Sequence, residues 1–406
     1  MNKKRWGDGV FNLISWFDIE KVANATVMVI GAGALGNEVL KNLALLGIGR
    51  IIIVDLDRIE YSNLTRSVLF RTEDAELQAY KSEIAARRIK EINPGIQVVW
   101  LTGDIEKEIG LGYFRRSDVI IGCLDNVQAR YVVNYYAFRF AKPWIDGGIK
   151  NLDGHVSVYK NGDACYACSL SGESRQNMAI REGCADVVKE SAGYGRVATT
   201  PVSASIIGAI QVQEALKIIH GFNDNQDLGN FQVCQTLLNK SFYYEGMNMD
   251  AYSIISENYS EECPHHEVWE NIIEDRNITT ETTINQLFSY FENEFNEQIE
   301  NIYLRNRFVS HLLIRPNERV YEAMVPETKV DEFILKNDIS IDSTETAYKL
   351  PSPDGGYTFI DRNFKWKNLT LREVGVPQFD VLHIETRNED YYLEMTKEKP
   401  TLFKND

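Results

Sequence analysis

Apolar positions along this chain follow two rhythms. Short unbroken runs rich in β-branched residues stand at Thr26–Ile30, Ile51–Val54, Gln97–Leu101 and Val119–Cys123. Runs of this length between turn formers predict strands buried on both faces, as in a parallel sheet. Between them the period is helical. Gly36–Leu46 opens from a glycine loop and is closed by Gly47 and Gly49, residues suited to a helix C-cap. Lys81–Ile92 brings Ile84, Ala85, Ile89 and Ile92 to one face, and Asn93–Pro94–Gly95 stops it. Strand and helix in alternation predict an α/β fold with a Rossmann-like sheet.

The pattern then changes. Trp144–Ile149 and His155–Tyr159 read as a hairpin, and Ser203–His220 as a long apolar helix, buried in the core. Asn223–Gly229 is a polar loop, and Ser256–Asp275 is acidic and irregular. A new unit is expected from there, giving domains at 1–275 and 276–406. Its predicted elements are a helix at Thr283–Phe295 and strands at Ile302–Ile314, Arg319–Met324 and Phe379–Thr386.

Composition narrows the partners. The 406 residues carry a net charge of −16. That argues against nucleic acid, whose phosphates need a basic surface, and leaves room for a protein with a basic face. No run approaches the roughly 20 apolar residues of a membrane span. Trp6 and Gly7–Asp8–Gly9 interrupt the start of the chain, so no signal peptide is expected. Six cysteines in this length do not make a secreted disulfide framework. A cytoplasmic protein is expected.

The chemistry starts at Gly31–Ala32–Gly33–Ala34–Leu35–Gly36, directly after the first strand. Gly31 permits the tight turn, Gly33 lets a phosphate approach the backbone, and Gly36 lets helix and strand pack. Asp55, about 20 residues past the loop, suits ribose hydroxyls. A nicotinamide or flavin oxidoreductase shares these features. It has no use for the polar set spread over the next strands and helices: Asp57, Asn63, Arg66, Lys81, Asp125 and Asn126. Two cations can neutralise a triphosphate, and Asp125 at a strand end can hold Mg2+. Lys81 also reads as a solvated lysine at a helix start.

Gly31–Gly36, Asp55–Leu56–Asp57, Ser62–Asn63–Leu64–Thr65–Arg66, Lys81 with Ile92–Asn93–Pro94, and Cys123–Leu124–Asp125–Asn126 stand in order. This series resembles that of the ThiF/MoeB and ubiquitin-activating enzyme superfamily, over roughly residues 20–270. The resemblance implies an adenylation domain that uses ATP and Mg2+ on the glycine-ending carboxylate of a small ubiquitin-like or sulfur-carrier protein. It implies Asp55 at ribose, Asn63, Arg66 and Lys81 at phosphates, and Asp125 at Mg2+. Ala34, Ser67 and Glu76–Lys81 depart from the family pattern, and Arg5 is the one candidate for the family's N-terminal arginine.

Cys165–Tyr166–Ala167–Cys168 has zinc-knuckle spacing, and Cys263 with His266 supplies a second pair. His265 is the alternative fourth ligand, and a redox Cys-x-x-Cys the alternative chemistry. A closed four-ligand zinc would be structural. Cys184, in Arg181–Glu182–Gly183–Cys184–Ala185, lies in a polar stretch where a thiol can accept an acyl group; cysteine is also a common small core residue. The segment resembles the crossover loop of homodimeric activators of ubiquitin-like modifiers, which implies a homodimer and a thioester on Cys184. Thr370–Val376 and Phe379–Ile384 resemble a ubiquitin-fold unit, a C-terminal α+β (β-grasp-like) domain that recruits a conjugating enzyme. A sulfur-carrier adenylyltransferase is the competing function.

Overall fold

The computed structural model describes residues 6–7, 9–170, 199–222, 234–255, 259–314, 320–326, 350–351, 357–364, 366–400 and 402. At 306–314, 320–326, 350–351 and 357 the description is of the backbone alone. The chain divides into two units. The first is Met1–Ile105 with Tyr113–Val268, and the second is Glu106–Gly112 with Trp269–Asp406.

In the first unit the four expected strands are β1 (Thr26–Ile30), β2 (Arg50–Val54), β3 (Gln97–Leu101) and β4 (Val119–Gly122). They join β5 (Trp144–Lys150), β6 (Asp153–Tyr159), β7 (Lys240–Glu245) and β8 (Asp250–Ile255) in the order β3-β2-β1-β4-β5-β6-β7-β8. Pairing is parallel from β3 to β5 and antiparallel from β5 to β8. All five residues of β1 are buried, which is why its sequence has no charged position. The sequence did not predict β7 and β8. Every residue of β8 is exposed and every residue of β7 half-exposed, so neither strand alternates.

Among the described residues the helices here are α1 (Ile19–Asn24), α2 (Ala34–Leu46), α3 (Thr72–Glu76), α4 (Lys81–Ile92), α6 (Val127–Arg139) and α7 (Pro201–His220), with the one-turn α5 at Gly112–Arg115. Val27, Val29, Ile51 and Ile53 pack with Leu40 and Leu43 of α2 and Ile89 of α4. Gly47 and Gly221 take the left-handed conformation that ends α2 and α7. Contrary to the expectation that no run approaches a membrane span, α7 is by length and composition long and apolar enough to cross one, with a mean hydropathy of 1.3. It is instead packed against the sheet, burying Ile207, Val212 and Ala215 together with the polar Gln211 and Glu214.

The second unit is α+β. Thr283 caps α8 (Ile284–Phe295), its side chain accepting from the Gln286 N–H while Gln286 reaches back. Ile284, Leu287, Phe288 and Phe291 recur at helical spacing and are buried with Ile302, Leu382, Ile384 and Leu393. Each such side chain contributes about 1.5–3 kcal/mol on leaving water. Strand β9 (Ile273–Asp275) runs parallel to β15 (Asp390–Met395), which pairs antiparallel with β14 (Val381–Thr386). The 16-residue β10 (Ile299–Ile314) pairs with β14 on one edge, and with β11 (Val320–Pro326), β12 (Leu350–Pro351) and β13 (Tyr357–Asp361).

Two details correct the expected boundary at residue 275. Ile273–Asp275, read as irregular, is a strand of the second sheet. Glu106–Gly112, from the first half of the sequence, also belongs to this unit. The Leu111 N–H donates to Asp380 Oδ1 at 2.8 Å and the Gly112 N–H to the Phe379 carbonyl at 2.9 Å. Arg305 ties the segment further, through the Ile109 carbonyl at 2.7 Å and Asp380 Oδ1 at 3.0 Å.

Candidate nucleotide and metal sites

The glycine loop is fixed by steric need. Gly31 has φ +96°, and a Cβ there would collide with the Cys123 carbonyl of the neighbouring strand end. A Cβ at Gly36 would collide with the Gly31 carbonyl. Around Gly33, the N-cap of α2, a Cβ would meet nothing within 4 Å. That open space at a helix N-terminus is what a phosphate needs. The loop sits where the strand order reverses between β1 and β4, at the carboxyl ends of the strands.

Asp55 comes after β2 at the same edge. Its Oδ2 accepts from the Ala32 N–H of the loop at 2.6 Å, and its Oδ1 from the Asp57 N–H at 2.8 Å. Burial raises its pKa, while Lys81 and the two amides pull it back down. Each carboxylate oxygen retains a lone pair for a hydroxyl. Lys81 opens α4 with its side chain largely buried and Nζ 2.7 Å from Asp57 Oδ2. It is not a solvated lysine. The Asp57 carboxylate is 57% exposed, so the pair itself contributes about 1 kcal/mol or less. Lys81 therefore stays available as a cation beside Asp55.

Asn63 and Arg66 lie on the turn beyond Asp57. Asn63 Oδ1 accepts from the Glu60 N–H, leaving its amide nitrogen to donate. Arg66 is half-exposed, and its Nη1 donates to the Ser62 carbonyl at 2.6 Å. A residue that the motifs do not include connects this turn to the loop. Buried Asn37 donates to the Ala32 and Gly33 carbonyls and accepts from the Leu69 N–H. A polar residue one place after Gly36 on an apolar helix was the available signal.

At the end of β4, Asp125 is exposed and near Arg130. Asn126, expected at the nucleotide, is the N-cap of α6, its Oδ1 accepting from the Ala129 N–H at 2.7 Å. Arg130 pairs with buried Asp146, and Gln211 donates to the Gly122 carbonyl. None of these three was predicted. Burial pushes the neighbouring Cys123 thiol up, so it remains protonated.

Cys165, Cys168, Cys263 and His266 converge, with all four ligand atoms within 4.8 Å of one another. The sulfurs of Cys165 and Cys168 are 3.6 Å apart, those of Cys165 and Cys263 3.7 Å, and Cys168 Sγ is 3.3 Å from His266 Nε2. Ligands at zinc-sulfur bond lengths in a tetrahedron stand about 3.8 Å apart, so the set fits one four-coordinate ion. The hydrogen bond from the Cys165 thiol lowers the pKa of the Cys263 thiol, towards the thiolate form that metals take. His265 faces away, with Nδ1 2.8 Å from Asn134 Nδ2, and burial pushes it down to about 3. Asn134 also accepts from the Tyr166 N–H, and Arg139 donates to the Pro264 and Glu267 carbonyls. Thus α6, itself unpredicted, braces both halves of the knuckle. Cys184 and Arg5 lie outside the described residues.

Residues 10–263 match the model of the ThiF family. The chain belongs to the ThiF family. A sulfur carrier protein adenylyltransferase of Thermus thermophilus is 32% identical over 208 residues, 50% of this chain and 72% of that protein. The SUMO-activating enzyme subunit uba-2 of Caenorhabditis elegans is 37% identical over 151 residues, 37% of this chain and 26% of that protein. The chain thus spans about a quarter of that subunit's length. Among solved structures, E. coli MccB with ATP aligns at a TM-score of 0.49 and 24% identity, over 63% of this chain and 69% of that one. The resemblance drawn from the motifs is borne out, as is the Rossmann-like sheet. The relatives divide between activators of sulfur carriers and subunits that activate ubiquitin-like modifiers.

Proposed function

We propose that this ThiF-family protein is an adenylyltransferase that activates the C-terminal carboxylate of a small glycine-ending protein, passes the acyl group to Cys184, and hands it to a conjugating enzyme. The observation that carries the reading is the grouping of the glycine loop, Asp55, Lys81 and Asp125 at the carboxyl ends of β1, β2 and β4. In this reading the amides at the start of α2 and Lys81 hold phosphate, with Asn63 and Arg66 donating from the turn beside them. Asp55 takes the ribose. A carboxylate oxygen of the carrier bonds to the α-phosphorus as the bond to pyrophosphate breaks, and the Cys184 thiolate would then bond to the acyl carbon as AMP leaves. Mg2+ would supply charge neutralisation on the phosphates, and one exposed carboxylate, Asp125, would suit an ion that keeps most of its shell for phosphate and water. The knuckle would hold zinc as a closed structural site, since its four positions are filled by protein.

Transfer to a conjugating enzyme has support from charge. Residues 269–406 hold 26 acidic residues against 16 basic ones, most of the net charge of −16, so this unit favours a partner with a basic face. The second reading, sulfur-carrier activation without conjugation, is favoured by the 72% coverage of the Thermus relative. We further infer a homodimer in the cytoplasm.

Labelled pyrophosphate should exchange into ATP only when the carrier is present, and Asp125→Ala should abolish the exchange. Exchange that survives in Asp125→Ala removes that residue from the reaction; steady NADH turnover rejects the reading. Cys184→Ala should still exchange pyrophosphate but form no thiol-sensitive adduct with the carrier. An adduct formed equally well in Cys184→Ala rules out this cysteine.

A further inference from the structure

Strands β4 and β5 pair from Ile120 with Trp144 to Gly122 with Asp146, and no further. Asp125 lies just past the point where the pairing stops. Carbonyls beyond that point need other partners, since a buried unpaired carbonyl costs about 1–3 kcal/mol. Arg130, in the first turn of α6, supplies them. Its Nη2 donates to the Leu124 carbonyl at 2.6 Å and to the Gly147 carbonyl at 3.2 Å. Its Nε lies 2.9 and 3.1 Å from the two Asp146 oxygens. From α7, Gln211 Nε2 donates to the Gly122 carbonyl at 2.8 Å. The Arg130 and Asp146 side chains are 13% and 2% exposed. A buried ion pair adds little stability over an apolar pair of equal volume, so stability alone does not explain it. What the guanidinium adds is direction: one planar group joins the chain just past β4 to the middle of β5 and its carboxylate.

We propose that Arg130, braced by Asp146, is a positioning residue for Asp125. It fixes the carbonyl immediately before Asp125 and so sets where that carboxylate meets the Mg2+ of a bound nucleotide. The inference rests on the adenylation reading and adds a role for two residues outside its motifs.

The test is calorimetric titration of the full chain with ATP, in buffer stripped of free divalent cations and again with Mg2+. In the wild type Mg2+ should tighten ATP binding. Arg130→Lys keeps a charge near Asp146 but cannot span the Leu124 and Gly147 carbonyls. It should lose about tenfold or more of the Mg2+-dependent gain, in the range of outer-shell changes at metal sites, with metal-free affinity unchanged. Asp146→Asn should lose part of the gain in the same direction, and it serves as the deciding variant if Arg130→Lys does not fold. An unchanged gain in both variants overturns the proposal, as does an equal loss with and without Mg2+, which would mark a merely structural role. A wild type that binds no ATP under either condition overturns the adenylation reading and the proposal with it.

Discussion

Breaking the knuckle should loosen the first unit by an amount that its chain topology sets. Cys165 and Cys263 are 98 residues apart, and their sulfurs are 3.7 Å apart. A cross-link closing a loop of that length removes about 4.7 kcal/mol of unfolded-chain entropy on the chain-entropy model. A bound metal acts as such a cross-link, so the figure is an upper bound on the topological contribution. For a unit of this size each kcal/mol moves Tm by about 2–4 °C, so Cys263→Ser or a strong chelator should lower the melt by up to roughly 9–19 °C. The assay is a thermal melt of one preparation before and after chelation, with metal counted on the same sample; about one ion per chain is expected. His265→Ala is the control. Its imidazole bonds Asn134 rather than facing the sulfurs, so metal content should stay near one while the melt falls modestly. Chelated protein that is metal-free and melts at the original temperature refutes the argument. Loss of metal in His265→Ala with retention in a His266 variant would assign the fourth ligand the other way.

Lys81→Met should cost little stability, about 1 kcal/mol or less, because its partner Asp57 is largely exposed. It should nevertheless weaken ATP binding or exchange by about 100-fold. Lys81 lowers the raised pKa of Asp55, so its loss moves that pKa further up. The acid limb of nucleotide affinity, where Asp55 takes up a proton, should therefore shift to higher pH in Lys81→Met; a pH titration of binding reads this, and an unmoved limb separates the two residues. In the second unit, Asp380→Ala should cost about 3–5 kcal/mol by leaving buried Arg305 without its carboxylate. Thermal unfolding checks it, and a loss under about 1 kcal/mol would show the Arg305 bonds to the Glu106 and Ile109 carbonyls to be sufficient.

Much of the site was legible because it is local. Gly31, Gly33, Gly36 and Asp55 sit at fixed offsets from the buried strands β1 and β2, and Cys165 and Cys168 are a ligand pair three residues apart. Their identity follows from backbone geometry or ligand spacing within a few residues. What escaped is non-local or unpatterned. Within α6 the buried residues Val132, Val133, Asn134, Ala137, Phe138 and Arg139 mix apolar with polar and charged side chains and make no clean apolar stripe. Its many tyrosines and valines also suit a strand. Asp146 and Gln211 read as an ordinary acid and amide; only the parting of β4 and β5 gives them their partners. The assignment of Glu106–Gly112 to the second unit depends on a bond from Leu111 to Asp380, 269 residues away. No periodicity in the segment carries that information.

One face of α6 serves both centres. Asn126, Arg130, Asn134 and Phe138 recur every four residues, the spacing that aligns side chains along a helix. Asn126 adjoins Asp125, Arg130 holds the Leu124 carbonyl, Asn134 meets His265, and Phe138 stacks on the His266 ring at 5.6 Å. From the first to the last is about 18 Å of helix. The knuckle end is held by specific bonds from Asn134 and Arg139, and the helix between is continuous, so displacement at one end has a rigid path to the other. Losing the knuckle metal should therefore reduce the Mg2+-dependent gain in ATP affinity by about 2- to 30-fold, the size that coupling of about 0.5–2 kcal/mol through packed elements gives. Metal-free ATP binding, which depends on the glycine loop and Asp55, should hold. Cys168→Ser tests this at a temperature well below its own melt, so that unfolding does not contribute. A full Mg2+ gain in folded, metal-depleted protein would mean that α6 is seated by the sheet alone, and that the knuckle stabilises the fold without setting the position of Asp125.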